Sequence, residues 1–172
     1  MKKIIAVSIS ILILSGCAIN KGTNKYINKK IGIDISKCKI EKDKDTHGGF
    51  LGDGYYIVIA NCEQKPLTEI KEWKKLPLSQ NLQLIMYGGT KDDSTYLYNL
   101  AEESGIPEIK NGYYYFYDRV DGEYFKDKNT DTEKKIEDRH SDSEIFNRYS
   151  YNFTLALYDE DNNKFYYYEF DT

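Results

Sequence analysis

Four stretches of this chain are so dense in aromatic and β-branched side chains that a sheet is the fold they dictate. They are YYIVIA at 55–60, YYYFY at 113–117, Tyr151–Tyr158 and Asn163–Phe170. Such side chains fit a pleated, half-buried surface better than a helix. A fifth strand is expected earlier. Ile31, Ile33 and Ile35 alternate with Gly32, Asp34 and Ser36, and Cys38 and Ile40 keep the same parity. That period of two reads as a strand with one buried face.

Between these strands lie helix signals. Pro66 suits a first helical turn, Leu67, Ile70 and Trp73 recur every three residues, and Pro77 stops the pattern. Ser79 can cap a second helix carrying Leu82, Ile85 and Met86, with Gly88-Gly89 past its end. A third is expected from about Asp93 to Glu103, with Tyr96, Leu97, Leu100 and Ala101 on one face and Gly105 and Pro107 as terminators. Strands flanking a helical block predict an α+β domain: an antiparallel sheet of about five strands with two or three short helices packed on one face. Placing Asp159–Asn162 in the last turn pairs Leu157 with Lys164, Leu155 with Tyr166, Phe153 with Tyr168 and Tyr151 with Phe170, on one apolar face. Residues 121–144 hold 14 charged side chains among 24 and no sustained period. They predict a mobile charged loop, with at most a helical turn near Glu144–Arg148.

The N-terminus has a different logic. Lys2 and Lys3 precede an apolar run from Ile4 to Leu14, shorter than the roughly 20 residues that span a bilayer, as in a secretion signal. The run ends in Leu14-Ser15-Gly16-Cys17, which resembles the lipobox of bacterial lipoproteins. The resemblance implies cleavage before Cys17 and lipidation of its sulfur. It predicts a signal peptide at 1–16, a lipidated N-terminus and flexible tether at 17–30, and one globular domain at 31–172. Two acyl chains would hold that domain at the extracytoplasmic face of the cell membrane. The tether carries four lysines and no acid, suiting a solvated spacer beside anionic lipid. Further in, DTHGGFLGDGYY, WKKLPL, RYSYNFTLALYD and the terminal YYYEFDT are similar to a family of small Gram-positive lipoprotein-like chains. That likeness implies one globular domain and carries no activity with it.

Charge excludes one class of partner. Without Lys2 and Lys3 the basic count is 24 − 2 = 22 against 28 acids, a net charge of −6. Nucleic-acid binding rests on a basic footprint, so no nucleic acid is expected. Once Cys17 is assigned to lipid, Cys38 and Cys62 remain. A disulfide suits an oxidising compartment, and two buried thiols are the alternative. Both cysteines lie 12 residues from Phe50, inside a glycine-rich turn, so a hairpin centred there would set them face to face.

The chemistry-bearing residues are few. Asp43-x-Asp45-x-His47-Gly48 imitates the opening of a calcium loop, but Gly54 stands where the bidentate glutamate should be. Asp159-x-Asp161-x-Asn163 has Lys164 in place of the glycine, and both read more simply as acidic turns. With two histidines and no Cys-x-x-Cys, no metal and no cofactor is expected. No Gly-x-Ser-x-Gly or His-Glu-x-x-His occurs. A thiol enzyme would need Cys38 or Cys62 free beside His47. Asp45, His47 and Asp53 form a candidate binding loop, and the 17 tyrosines are either a recognition surface for a protein or sugar, or simply strand formers. The reading is a lipid-anchored extracytoplasmic binding domain, and the alternative is a small cell-surface hydrolase whose catalytic residues the sequence does not name.

Overall fold

The computed structural model describes residues 21–48, 52–63, 65–66, 72–91, 93–96 and 98–172. The expected helix after Pro66 falls largely on residues outside this set. The described chain opens in a helix, α1, over residues 21–31. Ten strands follow: β1 Lys39–Asp45, β2 Gly54–Asn61, β3 Lys74–Lys75, β4 Gly89–Lys91, β5 Ser94–Tyr96, β6 Gly112–Asp118, β7 Tyr124–Lys126, β8 Glu133–Lys135, β9 Phe153–Asp159 and β10 Lys164–Asp171. Helix α2, Gln80–Tyr87, precedes β4, and α3, Leu100–Ser104, precedes β6. The class is α+β: a six-stranded antiparallel sheet in the order β1-β2-β10-β9-β6-β3, with two small two-stranded sheets.

Both faces of the main sheet are buried. On one, Ile57, Tyr114, Phe116, Phe153, Leu155, Leu157, Tyr166 and Tyr168 pack with Leu82, Ile85 and Met86 of α2 and Leu100 and Ala101 of α3. On the other, Val58, Ala60, Tyr115, Tyr158, Phe165 and Tyr167 pack with Ile27, Ile31, Ile33 and Ile35. Burial on two sides is why the central strands read as continuous apolar runs rather than strict alternations.

The second layer corrects the expected tether. Residues 21–30 are helical, and Thr23, Ile27 and Ile31 recur every four residues as a buried stripe. Lys21, Lys25 and Lys29 repeat the spacing on the opposite, exposed face. The polar composition conceals a helix because a three-residue stripe is all it needs to dock. Ile33 and Ile35 alternate in burial as expected, but the ladder begins only at Lys39.

Two other elements differ from expectation. The third helix shrinks to Leu100–Ser104, capped by the Asn99 side chain on the Glu102 N–H and ended by Gly105. Upstream, Asp93 has φ 58°, and Ser94–Tyr96 instead pairs with Gly89–Lys91. The charged segment 121–144 contains the β7–β8 hairpin, with Phe125 buried. Asp127 caps its turn by accepting from the N–H groups of Asn129 and Thr130. The helical turn expected near Glu144–Arg148 is the 3-10 turn Ile145–Asn147.

The final hairpin pairs Lys164 with Asp159, Tyr166 with Leu157, Tyr168 with Leu155 and Phe170 with Phe153, two residues from the expected partners. Asp159 stays in the strand because its carboxylate accepts from the Asp161 and Asn162 N–H groups, so the turn is Glu160–Asn163. A shift of two preserves the faces. Tyr151, Phe153 and Leu155 are buried where expected.

Candidate functional site

The cysteine arithmetic holds in three dimensions. Lys39 pairs with Asn61 and Ile40 with Ala60, after which a bulge shifts the register. Cys38 and Cys62 are the next step outward and form a disulfide, with Cα atoms 4.3 Å apart. Cys17 lies outside the described residues.

Of the candidate loop, Asp45 and His47 come together and Asp53 does not join them. Asp45 ends β1, and its Oδ1 accepts from the His47 N–H at 2.9 Å, turning the chain back. Thr46 fastens this bend to Tyr55 by reciprocal bonds of 2.8 and 3.0 Å. Gly54 makes the approach feasible: its φ is 149°, and a Cβ there would stand 2.9 Å from the His47 Cα. Asp53 is exposed, and among the described residues its carboxylate forms no ion pair with His47.

His47 then bridges the ends of β1 and β10. Its Nδ1 lies 2.6 Å from Asp45 Oδ1 and its Nε2 lies 2.9 Å from Oδ2 of Asp171, at the end of β10. The same Asp171 oxygen accepts from Arg119 at 2.8 Å. Burial pushes the Asp45 carboxyl up, but the bonds from the His47 N–H and ring outweigh it and hold the group below its ordinary range.

These residues stand at the mouth of a cleft of about 600 Å³, lined by Gly22, Thr23 and Tyr26 of α1, Asp45, His47, Tyr56 of β2, and Glu169 and Asp171 of β10. Glu169 is buried, and its two oxygens accept from the Tyr167 hydroxyl at 2.6 Å and the Tyr26 hydroxyl at 2.8 Å. The rings of Tyr26 and Tyr56 meet edge to face, with centroids 5.6 Å apart. Burial first, and the Glu169 carboxylate second, hold the Tyr26 phenol protonated far above its usual range. Burial and Asp43 do the same for Tyr56.

Asp43 accepts from the Thr23 hydroxyl at 2.5 Å and Asp159 caps its turn, so both acidic motifs serve the fold. Among the described residues no group of three or more His, Cys, Asp or Glu side chains is arranged to hold a metal. His140 Nδ1 donates to the Phe116 carbonyl at 3.0 Å, and its ring meets those of Tyr115 and Tyr117 edge to face. On the second sheet face Tyr115, Tyr158 and Tyr167 are buried in the cluster with the 21–35 segment, while Tyr56 and Tyr117 are partly buried. Sequence reasoning overlooked Tyr26, Tyr56, Glu169, Asp171 and Arg119. One signal was available: Glu169 and Asp171 place two carboxylates on the same face of an otherwise aromatic strand. Compared with family models, curated proteins and solved structures, the chain matches none.

Proposed function

We propose that this protein is a lipid-anchored extracytoplasmic binding domain whose ligand site is the cleft between α1 and the ends of β1, β2 and β10. The observation that carries the binding reading is the convergence of two tyrosine rings with Asp45, His47, Glu169 and Asp171 around about 600 Å³, a size suited to a small ligand or one residue of a protein or sugar partner. The anchor rests on the lipobox at Leu14–Cys17, and the disulfide agrees with an oxidising compartment.

A small surface hydrolase is the second reading, favoured by His47 held between two carboxylates, as a catalytic base is often oriented. Both ring nitrogens face carboxylate oxygens and neither faces a hydroxyl or thiol. Cys38 and Cys62 are bonded to each other. Binding therefore uses the geometry more fully than hydrolysis does.

Two measurements test the proposal. In cells fed a fatty-acid analogue, the wild-type chain takes up label and Cys17→Ser does not; equal label in both removes the anchor. For the site, the detergent-solubilised lipoprotein is mixed with glycans and proteins released from its own cell surface. Ring-proton shifts at Tyr26 and Tyr56 support the cleft, and shifts confined to surfaces elsewhere reject it.

A further inference from the structure

We infer that a second cleft, on the sheet face opposite α1, takes a pyranose sugar. It shares no lining residue with the cleft beside α1 and stands independently of it. Its volume is about 630 Å³, within the range of small-ligand sites. Three segments distant in sequence build it: β5 with Tyr98 beyond it, the turn between β7 and β8, and the 3-10 turn Ile145–Asn147 with Tyr151 beyond it. The Lys128 N–H donates to the Asn147 carbonyl at 2.8 Å, joining the second segment to the third. Tyr96 joins the first to the third by packing on Phe146, with ring centroids 4.5 Å apart. Phe146 and Tyr151 are in turn seated on the core beneath α2 and α3.

The walls are aromatic, and polar groups among them still have bonding capacity. Tyr96, Tyr98, Phe146 and Tyr151 line the cleft. Tyr98 is 37 % exposed, and its ring meets that of Tyr151 edge to face, with centroids 5.5 Å apart. The Tyr98 hydroxyl donates to the Tyr151 hydroxyl at 3.1 Å, which leaves the Tyr151 proton with no acceptor among the described residues. Burial first, and Tyr98 second, hold the Tyr151 phenol well above its ordinary range, so it remains a donor at neutral pH. Asn129 Nδ2 donates to Asn147 Oδ1 at 3.0 Å. Oδ1 of Asn129 then has no donor among the described residues, and the Thr95 hydroxyl and Lys128 ammonium on the same lining have no partner there either.

These groups narrow the ligand. The chain carries 28 acids, yet no carboxylate stands among the described residues lining this cleft, so a cation finds no counter-charge. Lys128 is the single charged residue among them, whereas a phosphate is held by several charge-assisted donors. A purely apolar ligand would cover the Tyr151 hydroxyl and the Asn129 amide without bonding them. A pyranose satisfies both halves. The C–H groups of one sugar face lie against the electron-rich face of an aromatic ring. Its hydroxyls both donate and accept, as the side chains of Asn, Thr and Tyr do. The sugar is either a free saccharide or one unit of a polysaccharide.

The test reads the ring-proton shifts of Tyr98 and Tyr151 in the full lipoprotein held in nanodiscs. It is titrated with the methyl glycosides of glucose, galactose, mannose and N-acetylglucosamine, with glycerol, cyclohexanol and uridine as controls. Saturable shifts with at least one glycoside, larger than those from every control, support the inference. The trisaccharide of that sugar then separates the sources: tighter binding than the glycoside indicates a polysaccharide, and equal binding a free saccharide. Tyr98→Ala is expected to weaken the glycoside about tenfold, through loss of a stacking wall. Asn129→Ala is expected to weaken it about fivefold, the loss of one neutral hydrogen-bond partner. Both side chains are exposed, and wild-type ring signals from Tyr26 and Tyr56 check that each variant is folded. Unchanged affinity in either variant overturns the inference, as does the absence of a shift with every glycoside. Glycerol, cyclohexanol or uridine acting as strongly as the glycosides overturns it too, because the cleft would then not select a sugar. Released cell-surface protein that moves these rings when no glycoside does would replace the sugar with a protein partner.

Discussion

At the scale of single residues, the arginines show how sparingly this chain spends its special side chains. Only three of its 24 basic residues are arginine, and all three grip the segment that leaves β6. Arg119 reaches Asp171 and the carbonyls of Phe153 and Phe170. Arg139 donates to the carbonyls of Asp118, Val120 and Gly122. Arg148 pairs with Asp118 at 2.6 Å, with side chains 3 % and 5 % exposed. A lysine ammonium has no planar fork with which to hold several carbonyls at once. Asp118→Ala should strand the Arg148 charge and cost about 3–5 kcal/mol in denaturant unfolding. Replacing both partners together, Asp118→Leu with Arg148→Met, should recover much of that loss. A single variant as stable as wild type would show the pair to be dispensable.

At the scale of elements, composition identifies β2, β6, β9 and β10, and side-chain caps decide where the last hairpin turns. The β9–β10 register differs by two from the alternation-based expectation because Asp159 caps its own turn. The α3 boundary follows the Asn99 cap and not the apolar stripe that begins at Tyr96, which packs on Phe146 at 4.5 Å. The hairpin of β1 and β2 was legible because two independent constraints, cysteine spacing and turn glycines, pointed to one centre. β1 is an edge strand, and the disulfide closes its start against the end of β2. The double variant Cys38→Ala/Cys62→Ala should lose about 3 kcal/mol, as expected for a loop of this length. Hydrogen exchange should rise first in β1; faster exchange confined to β9 would contradict this assignment.

At the scale of the whole molecule, the sheet is closed on its second face by a segment that composition marks as a spacer. Ile27, fully buried, is the central pin of α1. Ile27→Ala should cost about 2–5 kcal/mol, measured by thermal or denaturant unfolding. Because Gly22, Thr23 and Tyr26 of α1 also line the cleft, the same change should loosen the Tyr26–Glu169 bond. A variant that keeps full stability would mean that α1 contributes nothing to closing the face.

Sequence by itself determined what depends on neighbours along the chain: the strands β2, β6, β9 and β10, the faces of the last hairpin, the α2 cap at Ser79, the hairpin that aligns Cys38 with Cys62, and the α+β class. These follow from periods of two and 3.6 and from local hydrogen bonds. Only the tertiary structure decided what meets across it. His47 touches Asp171 from 124 residues away, and Tyr26 reaches Glu169 from 143. Those meetings depend on β2 and β10 being adjacent and on α1 docking over both. No local pattern encodes that arrangement, because it is selected by the simultaneous burial of the apolar faces, with the acidic ends of β1 and β10 gathered at a cleft that α1 borders.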